Sequence, residues 1–167
     1  MDDLPEERGS PVFAVFEKLV KGQESEMPED KNKWALWFDQ RLEAYEKENL
    51  PKMHITEIVG EAEFEKKLAE NQDKMMVIKY WKHKCLPCLS YGPFHKKAEE
   101  ALNQDPNCVF YSVDIKRAEN LKLAAWQRIM GTPTIQCYHQ GRQVGNNVEE
   151  TNYARFMKHI RASMQFL

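Results

Sequence analysis

The sequence predicts an α/β fold in which a central mixed sheet is flanked by helices and preceded by an α-helical extension. Three observations lead there. From about Met53 onward, short apolar runs alternate with stretches of helical period. One run, Met75–Trp81, is apolar at every position except Lys79, as expected of a strand covered on both faces. Residues 1–52 show only helical spacing, and Pro51 stops it. The expected division is a helical extension over 1–52 and a main domain over 53–167.

Composition limits the function classes. The 167 residues are 42% hydrophobic and 30% charged, enough to bury a core and too few for two ordinary domains. A formal charge of −2 argues against nucleic-acid binding by bulk electrostatics. No apolar run approaches the roughly 20 residues of a membrane span. The N-terminus carries Asp2, Asp3, Glu6 and Glu7 and no apolar stretch, unlike a secretory signal. An intracellular reducing compartment, cytosol or organelle matrix, is therefore expected. Charge is uneven: residues 1–55 hold 13 acids and 8 bases, net −5, and residues 56–167 hold 13 acids and 16 bases, net +3.

Taken in order, Ser10 is a good helix cap and Pro11 a good first helical residue. Val12, Phe13, Val15, Phe16, Leu19 and Val20 follow at helical spacing, and Gly22 ends the turn. Residues 23–32 are polar, contain Pro28 and read as a linker. A second helix is expected over about Lys33–Asn49. Its stripe of Trp34, Trp37, Phe38, Leu42 and Tyr45 must be covered, either by the main domain or by a partner subunit. Beyond Pro51, His54–Val59 reads as a short strand and Gly60–Asn71 as an amphipathic helix with Phe64 and Leu68 inward. Met75–Trp81 is a strand, Leu86–Leu102 a helix with Pro93 inside it, and Cys108–Asp114 a strand. Ala118–Arg128 is expected to be helical and Thr134–Tyr138 a strand. Gln140-Gly141 turns the chain into a hairpin partner at Arg142–Val144, and Glu149–Met164 closes the domain as a helix. Tyr91, Trp126 and Tyr153 sit at helical spacing and are expected in the core.

Of four cysteines, only Cys85 and Cys88 are close, as Cys-Leu-Pro-Cys. A C-x-x-C amid alternating strands and helices points to thiol chemistry or metal. Zinc needs about four ligands, and one pair with scattered His83, His95 and His139 falls short. No metal and no cofactor are expected. Cys108 and Cys137 lie in strands and read as core. Cys85 opens a helix, where unpaired N–H groups and the helix dipole favour thiolate.

Residues 53–165 resemble thioredoxin. Cys85-Leu86-Pro87-Cys88 follows a buried strand, and Trp81 stands four residues before Cys85. Thr132-Pro133-Thr134 precedes an antiparallel strand where that family places a cis-proline. Pro93 and Gly141 fit its helix kink and its last turn. The resemblance implies that Cys85 is the exposed nucleophile, Cys88 the resolving thiol, and Pro133 a wall against which substrate backbone pairs. Trp81, Leu86, Pro87 and Thr132 would then be substrate contacts.

Three departures stand out. Lys79 occupies the place of the family's buried carboxylate, Lys84 that of its second tryptophan, and Leu86 that of glycine. Lys79, His83 and Lys84 could favour the thiolate and make the couple more oxidising than thioredoxin's roughly −270 mV. For His83 and Lys84 a plain solvated rim is the other reading. The function expected is a thiol–disulfide oxidoreductase acting on protein disulfides through Cys85 and Cys88. The alternative is a thioredoxin-like docking or structural subunit with little or no turnover.

Overall fold

The computed structural model describes residues 11–148 and 153–164. Helix α1 (Pro11–Val20) buries Val15 and Leu19. Ser10, its expected cap, lies outside the described residues. The expected linker over 23–32 holds a 3₁₀ turn at Glu24–Glu26, and α2 (Lys31–Asn49) starts two residues before the predicted point. Asp30 is the reason: its carboxylate accepts the N–H groups of Asn32 and Lys33 at 2.9 and 3.2 Å, a side-chain cap. Past Asn49 the chain tightens into a 3₁₀ turn, Leu50–Met53, which tolerates Pro51 near its start.

The sheet has four strands, β1 (Met75–Trp81), β2 (Cys108–Asp114), β3 (Thr134–His139) and β4 (Arg142–Gln143), in the order β2-β1-β3-β4. β1 and β2 are parallel, with Lys79 opposite Ser112, and α4 (Leu86–Leu102) makes the crossover that a parallel pair requires. β3 runs antiparallel to both β1 and β4. The strand expected at His54–Val59 is reduced to one bridge, Glu57 opposite Ser112. Two backbone hydrogen bonds hold it: the Ile58 N–H donates to the Ser112 carbonyl and the Ser112 N–H to the Thr56 carbonyl. Gly60, at φ 87°, then turns the chain into α3 (Glu61–Glu70) before a ladder can extend.

The helix expected over Ala118–Arg128 divides into a 3₁₀ turn, Ala118–Asn120, and α5 (Leu121–Trp126). Buried Asn120 sits at the break. Its amide donates to the carbonyls of Ile58 and Asp114, and its oxygen accepts the Gly60 N–H. Trp126, expected in the core, is 60% exposed, because Leu123 takes the inward position and α5 ends at Trp126 itself. Tyr91 is buried as expected, and the Tyr153 side chain lies outside the described residues. Helix α6 spans Tyr153–Met164, and the expected start at Glu149 also falls outside them. No helix among the described residues is long and apolar enough to cross a membrane.

Strand periodicity sorts β1 between two cores. Met75 and Val77 face Ala98 and Leu102 of α4 and Phe156 and Ile160 of α6. Met76, Ile78 and Tyr80 face Phe64 of α3 and Leu123 of α5. A third cluster joins the first two helices to the domain: Val15, Leu19, Leu42 and Met53 pack on Leu89 of α4, with Phe38, Tyr45, Leu50 and Leu86 around them. Of the aromatic stripe, Phe38, Leu42 and Tyr45 thus pack within the chain itself. Leu42 is buried and the four aromatics are half-buried, Trp34 stacking on Phe38 at 5.2 Å. A side chain at Gly92 would collide with Met53, so this glycine admits the close approach of the Leu50–Met53 turn to α4. The Arg41 Nε donates to the Leu19 carbonyl, tying α2 to α1.

Candidate functional site

β1 delivers Trp81 to the C-terminal edge of the sheet, and the chain turns through Lys82–Lys84 into α4. Lys84 makes the turn at φ 53°. Cys85 is the N-cap of α4: its sulfur accepts the Cys88 N–H at 3.2 Å, satisfying one of the orphan donors of the first helical turn. Pro87 sits in that turn, where its missing N–H costs nothing. Cys88 follows one turn inward, and the two cysteines form a disulfide with their Cα atoms 5.2 Å apart.

The loop before β3 closes the other side. The Thr132–Pro133 bond is cis, as the resemblance implies. Thr132 Oγ1 lies 3.3 Å from the Cys85 sulfur, and the Thr132 carbonyl lies 3.7 Å from it. A disulfide sulfur carries no hydrogen, so the hydroxyl is the donor. Cys85, Cys88, Thr132 and Pro133 therefore come together. Trp81 packs on both cysteines, and its ring meets His83 edge-on at 4.7 Å. Leu86 packs into the cluster beneath the first two helices, so its bulk serves the extension.

Exposure does not separate the two cysteines. Cys85 is 4% exposed and Cys88 5%, whereas the resemblance made Cys85 the open one. Cover comes from two sides: Thr132 lies against the Cys85 sulfur, and Leu50, just past the end of α2, packs against the cluster of Trp81, Cys85 and Cys88.

The same helix answers the basic rim. Glu46, only 9% exposed, accepts the Lys84 backbone N–H at 2.6 Å and holds His83 Nδ1 at 2.7 Å. The Lys84 ammonium pairs with Asp39 at 2.9 Å and Glu43 at 3.8 Å, and the Asp39 hydrogen bond raises its pKa. His83 Nε2 also approaches Asp114, at 3.6 Å. His83 and Lys84 are thus neither a bare solvated rim nor free cations beside the thiols. Glu46 and Leu50 are the site residues that sequence reasoning missed. The −5/+3 charge division was a signal that could have found the pairing.

Lys79 lies on the α4 side of β1 and is 6% exposed. Burial alone pulls its pKa down from 10.5 to about 8. No hydrogen bond or ion pair holds its ammonium among the described residues. It lines a cavity of about 590 Å³, together with Cys88, between β1 and the α2–Met53 segment. Neighbouring His95 is fully buried with Nδ1 unpaired, and desolvation with the Lys79 charge depresses its pKa. Cys108 and Cys137 are buried core thiols as expected, pushed up to about 12 by burial.

Residues 55–162 match the thioredoxin family model. The chain is 30% identical over 100 residues to a thioredoxin of Geodia cydonium, covering 60% of this chain and 90% of that one. It is 31% identical over 74 residues to a thioredoxin of Coprinus comatus, covering 44% and 67%. Among solved structures it is similar in fold to Fasciola hepatica thioredoxin, with TM-score 0.57 and 23% identity over 65% of this chain and 99% of that one. Oxidised mitochondrial thioredoxin 3 of Saccharomyces cerevisiae gives 0.55 and 23%, covering 65% and 94%.

Proposed function

This chain belongs to the thioredoxin family and is a thiol–disulfide oxidoreductase, and on that premise we propose that it reduces protein disulfides through Cys85 and Cys88. The observation that carries the reading is the Cys85 sulfur capping α4 while Thr132, next to cis-Pro133, donates to it. A sulfur in that place is a good thiolate, since the first-turn amides and the helix dipole stabilise negative charge. In the reduced protein, Cys85 attacks one sulfur of the substrate disulfide. A Cys85–substrate bond forms and the substrate's other sulfur leaves as thiolate. Cys88 then attacks Cys85, closing the disulfide and releasing the second substrate thiolate.

Trp81, Pro87 and Thr132 frame the approach, and substrate backbone pairs beside Pro133 as an added strand. The buried Lys79 ammonium favours thiolates in the pair, whereas Lys84 pairs with Asp39 and His83 hydrogen-bonds Glu46. Residues 11–52, the described part of the extension, act as an annex beside the site, and two free thiols, Cys108 and Cys137, suit a reducing compartment.

Turnover of insulin disulfides driven by dithiothreitol tests the reading. Wild type should turn over, and Cys85→Ser should fall at least about 100-fold. If wild type gives no turnover while its cysteines still oxidise and reduce, the docking-subunit reading takes its place.

A further inference from the structure

The cavity beside the disulfide has features that protein-disulfide reduction at Cys85 does not use. Its volume, about 590 Å³, is in the range of small-molecule sites. Its walls are largely apolar, with Leu50 from the extension and Met53 just after it, and Cys88 lines it while Cys85 does not. Charge is distributed in one direction. Glu46 is engaged by His83 and the Lys84 amide, and Glu57 lies 3.6 Å from Arg117. Lys47 and Lys82 also line it but are less buried; Lys79 is its buried cation and, among the described residues, has no partner of opposite charge. An unpaired cation in a largely apolar pocket is costly unless a ligand supplies the counter-charge.

We propose that this cavity binds a small thiol bearing a carboxylate, which pairs with Lys79 and reduces the disulfide by attack on Cys88. The inference rests on the oxidoreductase reading and assigns its electron donor. The donor thiolate attacks the Cys88 sulfur and forms a mixed disulfide there. The Cys85–Cys88 bond breaks, and its electron pair goes to Cys85, a stabilised leaving group because its sulfur accepts the Cys88 N–H and the Thr132 hydroxyl. A second donor thiolate attacks the donor sulfur of the mixed disulfide. This releases the oxidised donor and the Cys88 thiolate, which takes a proton from water. Two donor thiolates thus supply the two electrons. Protein substrate is handled at Cys85 from the Pro133 side, and reductant at Cys88 from the cavity.

Mercaptoacetate and 2-mercaptoethanol are the probes, each rate on the oxidised protein being divided by that thiol's rate on a small uncharged disulfide. Mercaptoacetate should be favoured about tenfold on wild type, the scale of one charge-assisted contact. The preference should vanish in Lys79→Met, and the first adduct should map to Cys88 by fragmentation mass spectrometry. On wild type alone, propanoate should slow the mercaptoacetate reaction and propanol should not, a result that does not depend on the variant folding. Equal normalised rates, an adduct on Cys85, or a preference that survives in Lys79→Met would each overturn the proposal. Insulin turnover with dithiothreitol separates the two ideas: turnover without carboxylate preference removes the cavity site only, and no turnover removes the oxidoreductase reading on which it stands.

Discussion

Lys79 and Glu46 are the two buried charges that give this site its character, and they behave oppositely. Glu46 is satisfied twice, by the Lys84 N–H and by His83. Removing it in Glu46→Ala leaves the amide of a positive-φ residue unpaired next to Cys85, with an expected loss of about 1–3 kcal/mol in urea denaturation. Alkylation of Cys85 against pH should also shift to lower pH in this variant, because a neighbouring negative charge is gone.

Among the described residues, Lys79 has no such partner. Its folded pKa, about 8, lies below the ordinary 10.5, so between those values the unfolded chain holds a proton that the folded chain has released. Stability therefore rises as pH climbs from about 8 to about 10.5, and the penalty is complete below 8. The shift corresponds to something on the order of 3 kcal/mol. Stability of Lys79→Met minus that of wild type should be positive at pH 7 and shrink towards pH 10.5. Tyr80 and Tyr138, whose pKa values burial raises, contribute an opposite slope that cancels in the difference. A flat difference would mean that the Lys79 ammonium is paired or hydrated in solution and keeps its ordinary pKa.

At the scale of elements, α2 and the Leu50–Met53 turn join the redox site to the extension. Leu42→Ala should cost about 2–5 kcal/mol, as for a buried leucine at a helix–helix contact, measured by thermal or urea unfolding. Leu50→Ala should cost less but raise the iodoacetamide reactivity of the reduced cysteines severalfold, because Leu50 packs against the cluster that holds them. Unchanged reactivity would show that the cover is not what limits access.

Much of this level was legible in the sequence. The β1, α4 and β2 limits follow from an apolar run, a C-x-x-C that opens a helix and a second apolar run. Other features were not legible, for identifiable reasons. The first strand shrinks to one bridge because Gly60 turns away, and pattern alone does not show where pairing stops. Asp30 moved the start of α2 through a cap that charge counting does not locate. Leu50, which packs against the cysteine cluster, lies 35 residues upstream of Cys85, and such contacts leave no local periodicity.

Across the whole molecule, the family's redox pair is set in an unusual frame. Acidic side chains of α2 lie against the loop before Cys85, with Asp39, Glu43 and Glu46 facing His83 and Lys84. The arrangement shields the disulfide on one side and leaves Thr132–Pro133 on the other, so a protein substrate should meet Cys85 from the Pro133 side. The central claim is that Cys85 attacks and Cys88 resolves, and covalent trapping tests it most directly. Reduced Cys88→Ser incubated with a disulfide-containing protein should accumulate a mixed disulfide through Cys85, visible as a dithiothreitol-sensitive band on a non-reducing gel. Cys85→Ser should accumulate none. A mixed disulfide in Cys85→Ser, or its absence in Cys88→Ser alongside normal wild-type turnover, would contradict the account.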